Sequence, residues 1–142
     1  MPETPAPKKK EFPNRKRILV IDDDDELRSY VAEALTTEGY QVATAANGEE
    51  GVQALNREPA DLIILDLFMP KMEGFETLME LRRFSPKPTV LAVSGGGRFA
   101  APDMLTIAGK LGARKTLPKP FTCQELLETV EDLFTERAAQ AV

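Results

Sequence analysis

Apolar positions along this chain follow two alternating rhythms. RILVI (17–21), YQVATAA (40–46), LIIL (62–65) and TVLAV (89–93) are short apolar runs, the pattern of strands held inside a parallel sheet. Between them the apolar residues recur at helical spacing: Leu27, Val31, Ala34 and Leu35; Val52 and Leu55; Phe75, Leu78, Met79 and Leu81; Met104, Leu105, Ala108 and Leu111. Leu126, Leu127, Val130 and Leu133 continue the pattern in a last helix. Punctuation agrees with these boundaries. Gly39 and Gly112 stand where helices stop, Asn47 can cap the second helix and Pro59 close it, and Thr122 with Glu125 reads as a capping box. RKTL (114–117) is the fifth strand, ending at Pro118, Lys119 and Pro120. Five strand–helix repeats predict a doubly wound parallel sheet covered by helices on both faces.

In such sheets the reactive crevice lies beyond the carboxyl ends of the strands. Here those ends carry Asp22 and Asp23, Asp66, Ser94 and Lys119. Asp66 closes the most apolar run, and a carboxylate there is costly unless a charge meets it. Two or three carboxylates converging on one point favour a hard divalent cation, for which Mg²⁺ fits best. Lys119 adds a compact positive charge and Ser94 a hydroxyl, so the set suits a phosphoryl group on Asp66, with the carboxylate as nucleophile.

Plainer readings exist for each residue alone. Asp24 and Asp25 fit the start of a helix, where negative charge meets the dipole, and Asp22 and Asp23 share that reading. Ser94 by itself is a turn residue and Lys119 a solvated charge. Their ordered occurrence at successive strand ends favours a shared site. A calcium loop is rejected: Asp22, Asp24, Glu26 and Glu33 fit the pattern, but Leu27 stands where its glycine is required. Cys123 has no second cysteine or histidine base beside it and is read as structural.

Composition narrows the classes. With 42% hydrophobic and 29% charged residues the chain suits one soluble domain, and no apolar run approaches the roughly 20 residues that span a bilayer. The opening residues lack a signal peptide's apolar core, so a cytoplasmic location is expected. A net charge of -5 gives no basis for nucleic-acid binding, and Lys8–Lys10 reads as a solvated run. The chain contains no histidine, which removes it as phosphohistidine donor or histidine-dependent catalyst.

Four segments, ILVIDDDDELR, LIILDLFMPKMEG, VLAVSG and LPKPF, in this order and at this spacing, resemble the receiver domain of bacterial two-component response regulators over Lys16 to Phe134. The resemblance implies a flavodoxin-like five-stranded sheet of order 2-1-3-4-5 with five helices. It implies that Asp66 accepts a phosphoryl group, and that Asp23, Asp66 and the Phe68 backbone carbonyl hold Mg²⁺, with Asp22 acting mainly through water. It further implies that Ser94 and Lys119 bind phosphoryl oxygens, and that the donor is a sensor histidine kinase or histidine phosphotransfer protein. The sequence departs from the family in three places. Thr116 replaces the usual aromatic switch partner of Ser94, Phe68 follows the acceptor at the second position, and Gly95–Gly97 make the next loop glycine-rich, a mobile element that phosphorylation would order.

The expected organisation is a disordered tail over 1–14, the receiver domain over 15–135 and a tail over 136–142. The expected role is a single-domain receiver in a Mg²⁺-dependent phosphorelay, signalling to an unknown protein target without membrane or nucleic acid; as a phosphoacceptor it is not counted an enzyme. Two alternatives remain. One is a receiver-like interaction module that is not phosphorylated. The other is a metal-dependent phosphatase with an aspartyl intermediate, which would want a carboxylate where Phe68 stands.

Overall fold

The computed structural model describes residues 16–69, 73–95 and 101–141, with the side chains of 95, 101–105 and 137–141 outside that description. The tail over 1–14, the turn at Pro70 and the loop glycines Gly96 and Gly97 fall outside the described residues, as do the side chains of Met104 and Leu105.

Strands and helices alternate as the two rhythms require: β1 (Arg17–Ile21), α1 (Asp25–Thr37), β2 (Gln41–Ala45), α2 (Gly48–Arg57), β3 (Leu62–Asp66), α3 (Glu73–Leu81), β4 (Thr89–Gly95), α4 (Ala101–Lys110), β5 (Lys115–Lys119) and α5 (Cys123–Ala141). Local chemistry fixes the helix ends. The Asp24 carboxylate accepts from the amides of Glu26 and Leu27, and Asn47 does the same for Glu50. After α1, Gly39 adopts a φ of 101°, while its amide donates to Thr36 and that of Tyr40 to Leu35, the two closing bonds of a Schellman end. Thr122 and Glu125 exchange both capping-box bonds at the start of α5.

All five strands are parallel, in the order β2-β1-β3-β4-β5. Because side chains alternate across a strand, the sheet sorts its apolar residues into two cores. Ile18, Val20, Leu62, Ile64, Leu91 and Val93 pack with Val31 and Leu35 of α1 and Leu126, Val130 and Leu133 of α5. The opposite row, including Leu19, Ile21, Ile63, Leu65, Val90 and Ala92, packs with Leu55 of α2, Leu78 and Leu81 of α3, and Ala108 of α4. Central β3 is buried along its whole length, as its unbroken apolar run requires.

Several boundaries differ from the sequence reading. Strand β4 runs past Ser94 to Gly95, the first of the three glycines read as loop, which stands in register with Lys119. Strand β5 covers Lys115–Lys119, so Pro118 and Lys119, read as its exit, still stand in register with β4; β5 is the edge strand, where a missing amide donor is tolerated. Helix α5 continues to Ala141, through most of the stretch read as a tail over 136–142. Glu136, Arg137, Ala138, Ala139, Gln140 and Ala141 are strong helix formers that need no apolar stripe, and Glu136 pairs with Arg114 and Lys115 at 3.5 and 3.1 Å.

Candidate functional site

Asp66 is the last residue of β3 and only 3% exposed. The neighbouring strand β1 delivers Asp22, also buried, one residue past its end, and Asp23 follows in the open. These three carboxylates bring ligand oxygens within 4.8 Å of one another, the one such group of three among the described residues. From the far side of the sheet, β5 brings Lys119, whose Nζ lies 3.2 Å from Asp22 Oδ2 and 3.6 Å from Asp66 Oδ2. Ser94, fully buried, sits near the end of β4 in register with Pro118, while Asp66 is in register with Val93.

The surroundings hold this corner in place. Phe68 N–H donates to Asp66 Oδ1 at 3.0 Å and Leu67 N–H to the Val93 carbonyl at 2.8 Å, so the chain turns tightly after β3. Gly74 lies directly against that turn: a Cβ there would come 2.4 Å from the Asp66 carbonyl oxygen and 2.5 Å from Leu67 Cα. Asp22 accepts from the Asp24 amide through Oδ1 at 2.9 Å, and its backbone carbonyl accepts from Arg28 Nη1 at 2.7 Å. Burial pushes the Asp66 carboxyl up from 3.8 to about 6, and the negative charge of Asp22 adds to the push; Lys119 and the Phe68 amide pull it down, and Asp23 raises it slightly.

Among described residues one lysine faces two buried carboxylates and a third, exposed one, so negative charge exceeds positive at a site built from oxygen donors. That donor set fits a hard divalent cation, which prefers carboxylate oxygens and keeps several waters. Asp22 uses both carboxylate oxygens, one for the Asp24 amide and one for Lys119; Asp66 accepts from the Phe68 amide through Oδ1 and has Lys119 Nζ 3.6 Å from Oδ2; Asp23 is the exposed member of the three.

The structure brings Asp22, Asp23, Asp66 and Lys119 into one cluster and puts Ser94 at the adjoining strand end. Thr116 lies two strands from Asp66, half-buried and in register with Ala92. Phe68 stands two residues after Asp66 and is 54% exposed. Arg28 was not singled out from the sequence. Its signal was a cation six residues beyond Asp22, placed on the first turns of α1 to reach back to the acidic loop.

Comparison with known proteins agrees with this architecture. The sequence model of the response regulator receiver domain matches residues 18–131. The transcriptional regulatory protein CpxR homolog of Haemophilus influenzae is 38% identical over 124 residues, covering 87% of this chain and 52% of that protein. CpxR of Klebsiella pneumoniae is 37% identical, covering 83% of this chain and 49% of that one. The chain thus spans about half the length of these curated relatives. Among solved structures, the CheY-like receiver domain protein of Methanospirillum hungatei superposes with a TM-score of 0.80 at 29% identity, covering 89% of this chain and 98% of that one. The receiver domain of NtrX from Brucella abortus gives 0.74 at 29%, covering 81% and 95%.

Proposed function

The chain belongs to the receiver domain family of response regulators, and from that premise we propose that Asp66 accepts a phosphoryl group from a phosphohistidine lying outside these 142 residues, on a sensor kinase or a histidine phosphotransfer protein. The observation that carries the reading is the corner itself: a buried carboxylate at a strand end, converging on Asp22 and Asp23, with Lys119 Nζ 3.6 Å away.

Asp23, Asp66 and the Phe68 carbonyl would hold Mg²⁺, with Asp22, whose Oδ2 lies 3.2 Å from Lys119 Nζ, acting mainly through water. When bound, the ion neutralises charge on the acceptor carboxylate and on the incoming phosphoryl oxygens. The rest falls to the chain. An Asp66 oxygen attacks phosphorus in line with the leaving imidazole; the new P–O bond forms as the P–N bond breaks, and the imidazole nitrogen takes up a proton. Lys119 donates to one phosphoryl oxygen and the Ser94 hydroxyl to another. The Phe68 amide holds the acceptor oriented, and the Phe68 ring, beside it, limits the approach of water to the acyl phosphate. Formation and loss of this bond are the only chemistry proposed; the output is a changed protein-binding face in the cytoplasm, in which Ser94 and Thr116 take part.

Incubation with acetyl phosphate and Mg²⁺ tests this. Stoichiometric label that disappears in Asp66→Asn is the expected result. No label on the wild-type chain would overturn it in favour of an unmodified interaction module, and sustained phosphate release in favour of a hydrolase.

A further inference from the structure

A cavity of about 720 Å³ opens at the amino-terminal ends of the strands. Asp61 at its edge precedes β3 and Asp66 ends that strand, so about 16 Å of strand separates the cavity from the phosphoacceptor corner. Leu55 and Pro59 from the end of α2, with Phe84, Pro86 and Pro88 from the α3–β4 connection, give it apolar walls. Arg17, the first residue of β1, stands among them. Its backbone is fixed, since its amide donates to Asp61 Oδ2 at 2.8 Å and its carbonyl accepts from the Asp61 amide at 2.8 Å. Arg17 shares its face of β1 with Leu19 and Ile21, so its side chain leaves toward the layer of α2 and α3, where the cavity lies. Arg17 Nε is the one buried side-chain polar atom without a hydrogen-bond partner among the described residues. The guanidinium has a single ion pair there, Nη1 to Glu58 Oε1 at 3.5 Å, and the Glu58 side chain is 58% exposed. A buried donor left unmatched is costly, and an acceptor that supplies the missing bond recovers that cost.

We propose that this cavity binds a small aromatic carboxylate, its ring against the apolar walls and its carboxylate on the Nε edge of Arg17. The volume selects a small molecule, since concave, mostly apolar cavities of this size enclose ligands and are too small for a folded partner. The guanidinium selects the carboxylate, because its planar fork meets two oxygens through parallel N–H···O bonds, which a point charge cannot do. Proline rings and the Phe84 ring select a flat apolar body, which gains contact area on them at little cost in rotamer freedom. Nε is shielded from solvent, so entry proceeds by exchange: the ligand's carboxylate replaces the long Glu58 contact and turns the guanidinium edge into the cavity. Lys87, also in the lining, offsets the charge added beside Glu58 and Asp61. The inference does not require Asp66 to be phosphorylated, and failure of the labelling experiment leaves it standing.

The test is a titration of the full ¹⁵N-labelled chain with 3-phenylpropionate, beside its amide and beside propionate, which lacks the ring. Saturable amide shifts at Arg17, Gln41, 55–61 and 84–89 are expected with the aromatic acid, and binding weaker by about tenfold or more with the amide or with propionate. Arg17→Lys keeps the charge and loses the fork, and should weaken the acid by about tenfold, with a urea midpoint showing the variant folded. Glu58→Gln removes the competing acceptor at an exposed position and should tighten binding a few-fold, a gain that damage to the fold would not produce. Absence of saturable shifts at millimolar acid, shifts centred on Ser94 and Lys119, equal binding of propionate, or a Glu58→Gln variant that binds no more tightly than the parent would each overturn the inference.

Discussion

Replacing Asp66 by Asn should stabilise the metal-free protein. The side chains are nearly isosteric, and an amide oxygen can still accept from Phe68 N–H, so the change chiefly removes a buried negative charge that Asp22 repels. Its carboxyl is pushed from 3.8 to about 6, and about 1.4 kcal/mol attaches to each pH unit of displacement, so the ionised group costs the fold about 3 kcal/mol at neutral pH. The sign runs opposite to the usual salt-bridged aspartate. The native state holds this proton more tightly than the unfolded chain does, so stability falls as pH rises from about 4 to about 6 and the penalty is complete above that. Urea unfolding of both proteins in EDTA at pH 7.5 and at pH 4 reads the difference. The expected gain is about 3 kcal/mol at the higher pH, shrinking to about 0.5 kcal/mol at the lower, where the native carboxyl is protonated and the unfolded one is roughly half ionised. A variant no more stable than the parent at pH 7.5, or an advantage that persists undiminished at pH 4, would refute the account of Asp66 as a desolvated, repelled carboxylate.

Lys119→Met leaves Asp22 and Asp66 facing each other uncompensated and should lower stability by about 1–3 kcal/mol at pH 7.5, with the loss fading toward pH 4 as the Asp66 carboxyl protonates; paired urea melts check it. Gly74→Ala should cost more than about 2 kcal/mol, since its Cβ would meet backbone on the acceptor turn; Gly51→Ala should cost less, because the atom it meets is the flexible end of Ile21, and urea midpoints should rank them in that order. Asp23→Ala should weaken Mg²⁺ binding in a calorimetric titration while leaving the urea midpoint in EDTA within about 0.5 kcal/mol of the parent, since Asp23 is exposed.

Most of the fold was readable because its signals are local. The run Leu62–Leu65 could only be an interior strand, Asn47 and the Thr122–Glu125 pair name their helix starts, and Gly39 takes the left-handed conformation its place after α1 demanded. The site was readable for the same reason, since parallel winding carries every strand exit to one edge. Contacts between distant side chains were less so. Four consecutive aspartates do not say which one turns inward; Asp22 is still tied to the sheet, its amide donating to the Ala45 carbonyl, while Asp23 lies beyond it in the open, and the hold of Arg28 on the Asp22 carbonyl follows from the phase of α1. The end of α5 was missed because its last residues carry helix propensity without an apolar period, and β5 was cut short because a proline reads as a stop when the strand's edge position is unknown.

The division of the sheet into two cores has a consequence for how the corner communicates. Counting along each strand, Asp22 follows Ile18 and Val20, Asp66 follows Leu62 and Ile64, and Lys119 follows Leu117, all in the row that packs against α1 and α5. Ser94 follows Val90 and Ala92, in the row that packs against α2, α3 and α4. The carboxylates and the lysine are thus rooted in one layer of the protein and the hydroxyl in the other. A change in spacing between Asp66 and Ser94 would therefore be a change between side chains rooted in two different layers, one backed by α1 and α5 and the other by α2, α3 and α4.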